Sequence, residues 1–534
     1  MSVTIGLLLA LSFLVSLLAL AGFIWAISNR QMNVDQADAY TVFAEGEPGH
    51  MDDPTVATPD EPLEKRHHYD PVQAGIDAVS RRPVTVLLTS SIVWLVIGSV
   101  FGVIASLKMH WPDLLADQAP LTFGRARTVH LNLVVYGWLS MAGLGVAMWI
   151  TPRIFHARLR NPSLPIYGAV LWNLAVAAGA VAIASGWNDG EEWLEIPWQI
   201  DIALALGAAC FVLPLFRTAL ARNVKHIYVT GWYFIAAIGW FPILFVVANL
   251  PYIYVGAQEA TVNWWFAHNV LGLWLTPLGV GAAYYFIPKI IGKPIYSYVL
   301  SLIGFWALAL FYSQVGIHHL IGGPVPTWLA TLSIVHSMMM FVPVIAVAIN
   351  HHVTVARNLW AFRQSFPLRF VWIGALGYTA ASFQGATQAL RPVQTVVHFT
   401  QYTVAHAHLG VYGFVSLVLF GSIYYIMPRS VGRQWPYPRF ITAHFWLTVV
   451  GFGIYFVGLT IGGVRQGLAM IDATRPFADS VRLLYPYLVW RSIGGGLMTL
   501  GHFLFAVNFV RLLAGAREPQ RIDKDAASVP AVAQ

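Results

Sequence analysis

The sequence predicts an all-α, polytopic membrane protein. Of its 534 residues 57% are hydrophobic and only 10% charged, where soluble domains carry about 25% charged residues. The apolar residues fall in runs of twenty or more, each long enough for a helix to cross about 30 Å of hydrocarbon, separated by short polar loops. The basic residues alternate from loop to loop, as membrane topology requires.

Taken in order, Thr4–Ile27 is an apolar segment of 24 residues. It is too long for a signal-peptide core and lacks a charged start, so residues 1–27 read as a retained N-terminal transmembrane anchor. Residues 28–82 hold eleven Asp and Glu with several Pro and Gly, and read as a polar, acidic cytoplasmic linker, poorly ordered in its middle. Twelve spans follow within residues 83–513: Pro83–Leu107, Arg127–Ile150, Pro165–Ser185, Ile200–Leu220, Ile227–Leu250, Val262–Ile287, Tyr298–Leu320, Thr327–Asn350, Phe370–Leu390, Tyr402–Met427, Ile441–Ile461 and Val489–Leu513. Residues 514–534 form a tail.

The loops after spans 2, 4, 6, 8 and 10, with Arg217 in the last turn of span 4, carry fourteen Lys and Arg; the loops after spans 3, 5, 7, 9 and 11 carry only Arg391, Arg465, Arg475 and Arg482. The positive-inside rule puts the first set, the linker and the C-terminal tail in the cytoplasm, and the N-terminus on the opposite face. Orientation thus accounts for the net charge of +7, and no nucleic-acid partner is called for. The lone cysteine, Cys210, excludes a disulfide framework, a zinc cluster, an iron–sulfur site and the C-x-x-C-H of covalent haem. Any haem must be held non-covalently.

Of eighteen histidines, six share one depth. His130 and His268 lie near the outer ends of inward-running spans 2 and 6, His318 and His319 in the last turns of outward-running span 7, and His406 and His408 near the start of inward-running span 10. Polar groups inside membrane helices are costly and usually functional, and imidazole suits haem iron and copper. Residues two apart leave a helix about 200° apart, so His406 and His408 serve different centres. His318 and His319, about 100° apart, suit one metal with His268 as a third ligand, which leaves His130 to complete a six-coordinate haem. Tyr312, seven residues before His319, falls on nearly the same α-helical face roughly 10 Å deeper, where a phenol can supply a proton and an electron.

Four motifs, G-R-A-R-T-V-H at Gly124–His130, F-A-H-N-V-L-G around His268, Y-x5-H-H-L at Tyr312–Leu320 and H-A-H-L-G at His406–Gly410, resemble the catalytic subunit of cbb3-type cytochrome c oxidases, a family of haem–copper oxidases. The resemblance runs from about Pro83 to Leu513. The N-terminal F-I-W-A and N-R-Q-M-N resemble the small single-span assembly protein of the same systems, fused in front of the twelve-helix bundle. The family resemblance implies two b-type haems and one copper. His130 and His408 would be axial ligands of the low-spin haem, and His406 the proximal ligand of the high-spin haem. Copper would sit on His268, His318 and His319. Tyr312 would be the active-site tyrosine, cross-linked to His268, and Arg127, Arg491 and His398 would lie near the haem propionates. Glu192 and Glu195 would contribute to a calcium site. Thr276, Tyr284 and Ser301 match a single proton channel from the cytoplasm.

Three positions depart from the family pattern. Gln384 stands where a glutamate is usual in the hydrogen-bonding network of the proximal histidine, Gln401 replaces an aspartate near the propionates, and Gly304 replaces a channel histidine. A neutral amide at 384 gives His406 less imidazolate character and raises the haem potential. These departures put family-standard proton pumping in question.

The implied function is a terminal oxidase reducing O2 to water, with electrons from membrane-anchored c-type cytochrome subunits, because this chain has neither covalent haem nor a dicopper motif. The alternative is a nitric oxide reductase of the same fold, whose non-haem iron calls for carboxylate ligands; spans 6 to 10 contain no Asp or Glu. A transporter or haem-binding sensor is the reading from another class, and it lacks acidic ion-pathway residues.

Overall fold

A computed structural model describes residues 3–44, 47, 49 and 71–515. Most of the expected linker's middle and the C-terminal tail beyond Gly515 lie outside the described residues. Within them regular structure is helical, apart from one isolated bridge between Glu191 and Leu194. The thirteen long helices are α1 Val3–Ser28, α2 Pro71–Lys108, α3 Phe123–Ile154, α4 Leu164–Ser185, α5 Trp198–Leu220, α6 Val229–Ala248, α7 Ala257–Ile291, α8 Tyr298–Leu320, α9 Thr327–Ala356, α10 Phe366–Gln388, α11 Gln401–Val431, α12 Pro438–Ile471 and α13 Phe477–Gly515.

Eleven of these, all but α1 and α10, are long and apolar enough to cross a membrane. Helix α10 covers the ninth expected span, but Thr379, Ser382, Gln384, Thr387 and Gln388 dilute its hydropathy. In α1 the described apolar stretch is the shorter Leu14–Ser28.

Burial sorts the bundle into layers. The apolar windows of α3, α7 and α11 are 94, 89 and 83% buried, against 39–67% in the other spanning helices. These three stand inside, and sequence neighbours pack around them as antiparallel pairs until α13 closes on α2. A helix packed all round can be apolar all round, which is why α7 reads T-P-L-G-V-G-A-A-Y-Y-F-I with almost every residue buried.

Several expected boundaries move. Helix α2 begins at Pro71, not Pro83, and carries Pro83 inside it; proline favours the first helical turn, which is why it marks the expected start. The added turns are held by Asp77, whose carboxylate accepts from Arg153 Nε at 2.9 Å and pairs with Nη2. Helix α12 runs to Ile471 rather than Ile461, and α13 starts at Phe477 rather than Val489. At 1.5 Å per residue they are about 50 and 60 Å long, well beyond the hydrocarbon.

The start of the expected linker is structured against the bundle. A short 3-10 helix, Gln36–Val42, is capped by Asp35, and Ala39, Val42 and Phe43 are buried. Gln31 donates to the Lys225 carbonyl at 2.9 Å and accepts from the Ile227 amide at 3.0 Å. Gln36 donates to the Ile295 carbonyl and accepts from the Tyr298 amide.

Candidate active site

Each histidine of interest borders a stretch that is not α-helical. His130 precedes a π-helical run at Leu133–Ser140, His268 one at Val270–Leu275, and His406 and His408 one at Leu409–Ser416. His318 and His319 lie in a 3-10 run, Tyr312–Leu320. Single π turns often mark functional sites, and 3-10 runs longer than three or four residues are uncommon. Serines hold two of the three π runs open. Ser140 donates to the Val135 carbonyl at 2.7 Å and Ser416 to the Val411 carbonyl at 2.9 Å, both five residues back. Two tryptophans then tie the inner helices together: Trp274 Nε1 donates to Ser140 Oγ at 3.0 Å, and Trp138 Nε1 to Ser416 Oγ at 2.9 Å. Sequence reading missed this frame. Its signal is the repeated H-x5-Y-G-x2-S at His130–Ser140 and His406–Ser416.

The frame brings the histidines into one cavity of about 700 Å³, bordered by all six, by Tyr312, Arg127, Arg491, Glu192, Thr276 and Gln401. On one side the rings of His130 and His408 are nearly parallel, 10° apart, with centroids 6.4 Å apart. His130 Nδ1 donates to the Gly98 carbonyl at 2.7 Å and His408 Nδ1 to the Val404 carbonyl at 2.9 Å. A carbonyl can only accept, so both rings keep Nε2 as the free lone pair. The 6.4 Å gap admits a metal roughly 2 Å from a nitrogen of each ring. The Tyr455 hydroxyl reaches His408 Nε2 at 3.2 Å; metal binding and this hydrogen bond use one lone pair and therefore alternate. Gly102 makes the seat for His130, since a Cβ there would lie 2.7 Å from its ring.

On the other side the ligand atoms of His268, His318 and His319 all lie within 4.8 Å of one another, the one such cluster of His, Cys, Asp and Glu among the described residues. Ser337 Oγ lies 2.9 Å from His318 Nδ1, and the His318 amide donates to Ser333 Oγ at 2.8 Å. Trp264 stacks on His319 at 4.2 Å. The Tyr312 ring is 5.3 Å from His268. The 3-10 geometry corrects the expected facing: at three residues per turn Tyr312 shares its face with His318, six residues on, rather than with His319.

His406 and His408 leave α11 on different sides. His408 meets Tyr455 of α12; His406 meets α10, where a Cβ on Gly385 would lie 3.0 Å from its Cε1. His406 Nδ1 and Gln384 Oε1 are both buried without a partner, as are His268 Nδ1, Gln401 Oε1 and Arg491 Nε. Orphaned polar atoms around an internal space are the mark of a site built for a bound group.

The remaining expected residues are placed as follows. Arg127 Nη2 donates to both oxygens of Glu192, at 2.9 and 3.2 Å. Glu195 is buried and accepts from Asn132 Nδ2 at 2.9 Å; desolvation, with Glu192 nearby, pushes its carboxyl up to about 7. Arg491 contacts the Met109 sulfur. His398 stacks on Phe399 at 3.9 Å beside a second, smaller cavity rather than the main one. Tyr284 accepts from Asn350 at 3.2 Å and packs 4.4 Å from His351. Ser301 donates back to the Tyr298 carbonyl of its own helix at 2.5 Å. Thr276 alone of the channel residues borders the main cavity. Gly304 is closed over by Val347, 2.9 Å from where a Cβ would be.

The fold is that of a helical membrane protein whose inner helices gather six histidines round one cavity, and the sequence comparisons give its class. The family model for cytochrome c and quinol oxidase polypeptide I matches residues 82–497, so the chain belongs to that family of haem–copper oxidase catalytic chains. Among its relatives is the cbb3-type cytochrome c oxidase subunit CcoN1 of Stutzerimonas stutzeri, 32% identical over 82% of this chain and 96% of that one. The cytochrome c oxidase subunit 1 homolog of Agrobacterium tumefaciens is 30% identical over 82% and 84%. A nitric oxide reductase chain of S. stutzeri is more distant, 27% identical over 78% and 91%. A haem–copper terminal oxidase dimer solved by cryo-electron microscopy shares the fold, with TM-score 0.62 and 16% identity over 85% of each chain.

Proposed function

We propose that this chain is the catalytic subunit of a bacterial terminal oxidase that reduces O2 to water. The observation that carries the reading is the union, in one buried cavity, of a near-parallel histidine pair with a three-histidine cluster beside a tyrosine. His130 and His408 would hold a low-spin b-type haem, His406 a high-spin one, and His268, His318 and His319 a copper ion. The 6.4 Å ring spacing and the orphaned nitrogens of His268 and His406 fit those groups. When bound, they supply the electron transfer that O2 reduction requires.

The chain's own residues do the rest. Backbone carbonyls at Gly98 and Val404 fix the tautomers of the His130 and His408 rings. Tyr312 holds a phenolic proton beside His268. Arg127 and Arg491 would offer positive charge to propionates at the outer end of the cavity, with His398, beside the second cavity, at most a neutral partner further out. Thr276, Tyr284 and Ser301 would pass protons from the cytoplasm, with pumping coupled to the same path. Calcium at Glu192 and Glu195 would compete with Arg127 and with the Glu195 proton.

Membrane-anchored c-type cytochrome subunits would deliver electrons. The chain would sit in the inner membrane with its N-terminus in the periplasm and C-terminus in the cytoplasm, residues 1–27 forming an appended anchor. Metal analysis of the purified complex tests the reading: one copper for every two haem irons is expected. Copper absent and a third iron present would overturn it in favour of nitric oxide reduction.

A further inference from the structure

The 3-10 run that carries Tyr312, His318 and His319 is nine residues long, and a run of that length needs external support. Polar braces reach it from three helices. From α9, Ser333 Oγ donates to the Val315 carbonyl at 2.5 Å and accepts the His318 amide. From α7, Asn269 Nδ2 donates to the Ser313 carbonyl at 3.1 Å. The third comes from α1: Ser16 Oγ lies 2.7 Å from Ser313 Oγ, 297 positions away in the chain. Ser313 is fully buried and directly follows Tyr312; Asn269 directly follows His268. The Ser16–Ser313–Asn269 line therefore runs beside the tyrosine and the histidine it faces.

Helix α1 is seated firmly enough to act as a brace. Val15, Ala19 and Ala26 are buried on one side of it. Phe23 packs on Trp306 at 5.0 Å and Trp25 on Trp232 at 6.1 Å. Past its end, Gln31, Gln36 and Glu47 are bonded to the loops at Lys225–Ile227 and Ile295–Tyr298 and to Lys289. A serine in an apolar helix commonly turns back to its own carbonyls; Ser16 reaches across to the bundle. The family match begins at residue 82, so Asn269 and Ser333 belong to the shared part and Ser16 does not.

We propose that α1 is a working part of this oxidase, with Ser16 a positioning residue that fixes the Tyr312–His319 segment through Ser313. The inference rests on the reading of Tyr312, His318 and His319 as oxygen-side residues.

The test uses the full chain in its purified complex, comparing wild type with Ser16→Ala, Ser16→Thr, Ser313→Ala and the double alanine variant. Hydrogen exchange should rise severalfold in residues 312–320 of Ser16→Ala and stay unchanged in residues 404–416. Ser16→Thr should restore it. The double variant should match either single one, as one shared bond requires. The infrared band of bound carbon monoxide should broaden in Ser16→Ala and recover in Ser16→Thr, with the copper-to-iron ratio unaltered. Unchanged exchange at 312–320, or a uniform rise across the bundle, would overturn the proposal. Wild-type metal content reports separately on the oxidase reading, because the exchange comparison needs neither copper nor turnover.

Discussion

Gly272 carries the ring of Tyr312 against its own backbone: a Cβ at this glycine would overlap Cε1, Cζ and the phenolic oxygen. Gly272 lies one helical turn beyond His268, so the missing side chain is what lets the phenol lie beside that imidazole. Gly272→Ala should displace Tyr312 at an overpacking cost of about 1–3 kcal/mol. A shift of reacting groups by about 1 Å costs on the order of 10² in rate. Oxygen consumption is expected to fall by that order with haem content unchanged.

Gly102 makes the parallel prediction for the other group of histidines. A side chain there would press on the His130 ring. Gly102→Ala should tilt the ring out of parallel with His408 and remove the low-spin haem signal, leaving the high-spin signal of the His406 side. Optical spectra of the reduced protein would show it; equal loss of both signals would mean general misfolding instead.

Gln384 directly precedes Gly385, where a Cβ would lie 3.0 Å from the His406 ring, and Gln384 Oε1 and His406 Nδ1 are both buried without a partner. Gln384→Glu would place a carboxylate near the imidazole, strengthen its donation and stabilise the oxidised metal. The expected outcome is a lower midpoint potential for the haem held by His406, with that of the other haem little changed, read by a redox titration.

Docking of the N-terminal segment should depend on acid. Burial alone would raise the Glu47 carboxyl, but the charge and hydrogen bond of Lys289, with the Ala44 amide, leave it below its ordinary value of 4.5. The undocked carboxylate then takes up a proton more readily than the docked one. The stability that docking gains is full above pH about 4.5 and is lost as the pH falls through the depressed native value. Hydrogen exchange in residues 31–43 should therefore rise on acidification, and Glu47→Gln should remove the step.

The sequence made the six histidines legible because imidazoles stand out in apolar runs, and loop charges fixed the helix order. The finer relations rested on things no periodicity reports. Tyr312 shares a face with His318 because its segment is 3-10, whereas an α-helical wheel assigns it to His319. Helix α2 begins twelve residues early because Asp77 finds Arg153, and the start of the linker is ordered because Gln31 and Gln36 find backbone partners 194 and 259 residues away. The Trp–Ser ties were written in the sequence as a repeat, but only the π geometry gives the repeat a meaning.

Those π runs carry a consequence for how the gene tolerates change. Each i→i+5 turn takes in one residue more than an α turn. Deleting one residue between Leu133 and Ser140 would let the run relax to α-helix and keep both flanks helical. Because the wide turn takes up the extra residue, the flanks would stay nearly in phase, with His130 on its own side of the helix and Arg153 in place at the far end. A single-codon deletion within one of these three stretches should thus be borne better than the same deletion in the regular α-helix beside it, which would turn one flank by about 100° against the other and part the histidines.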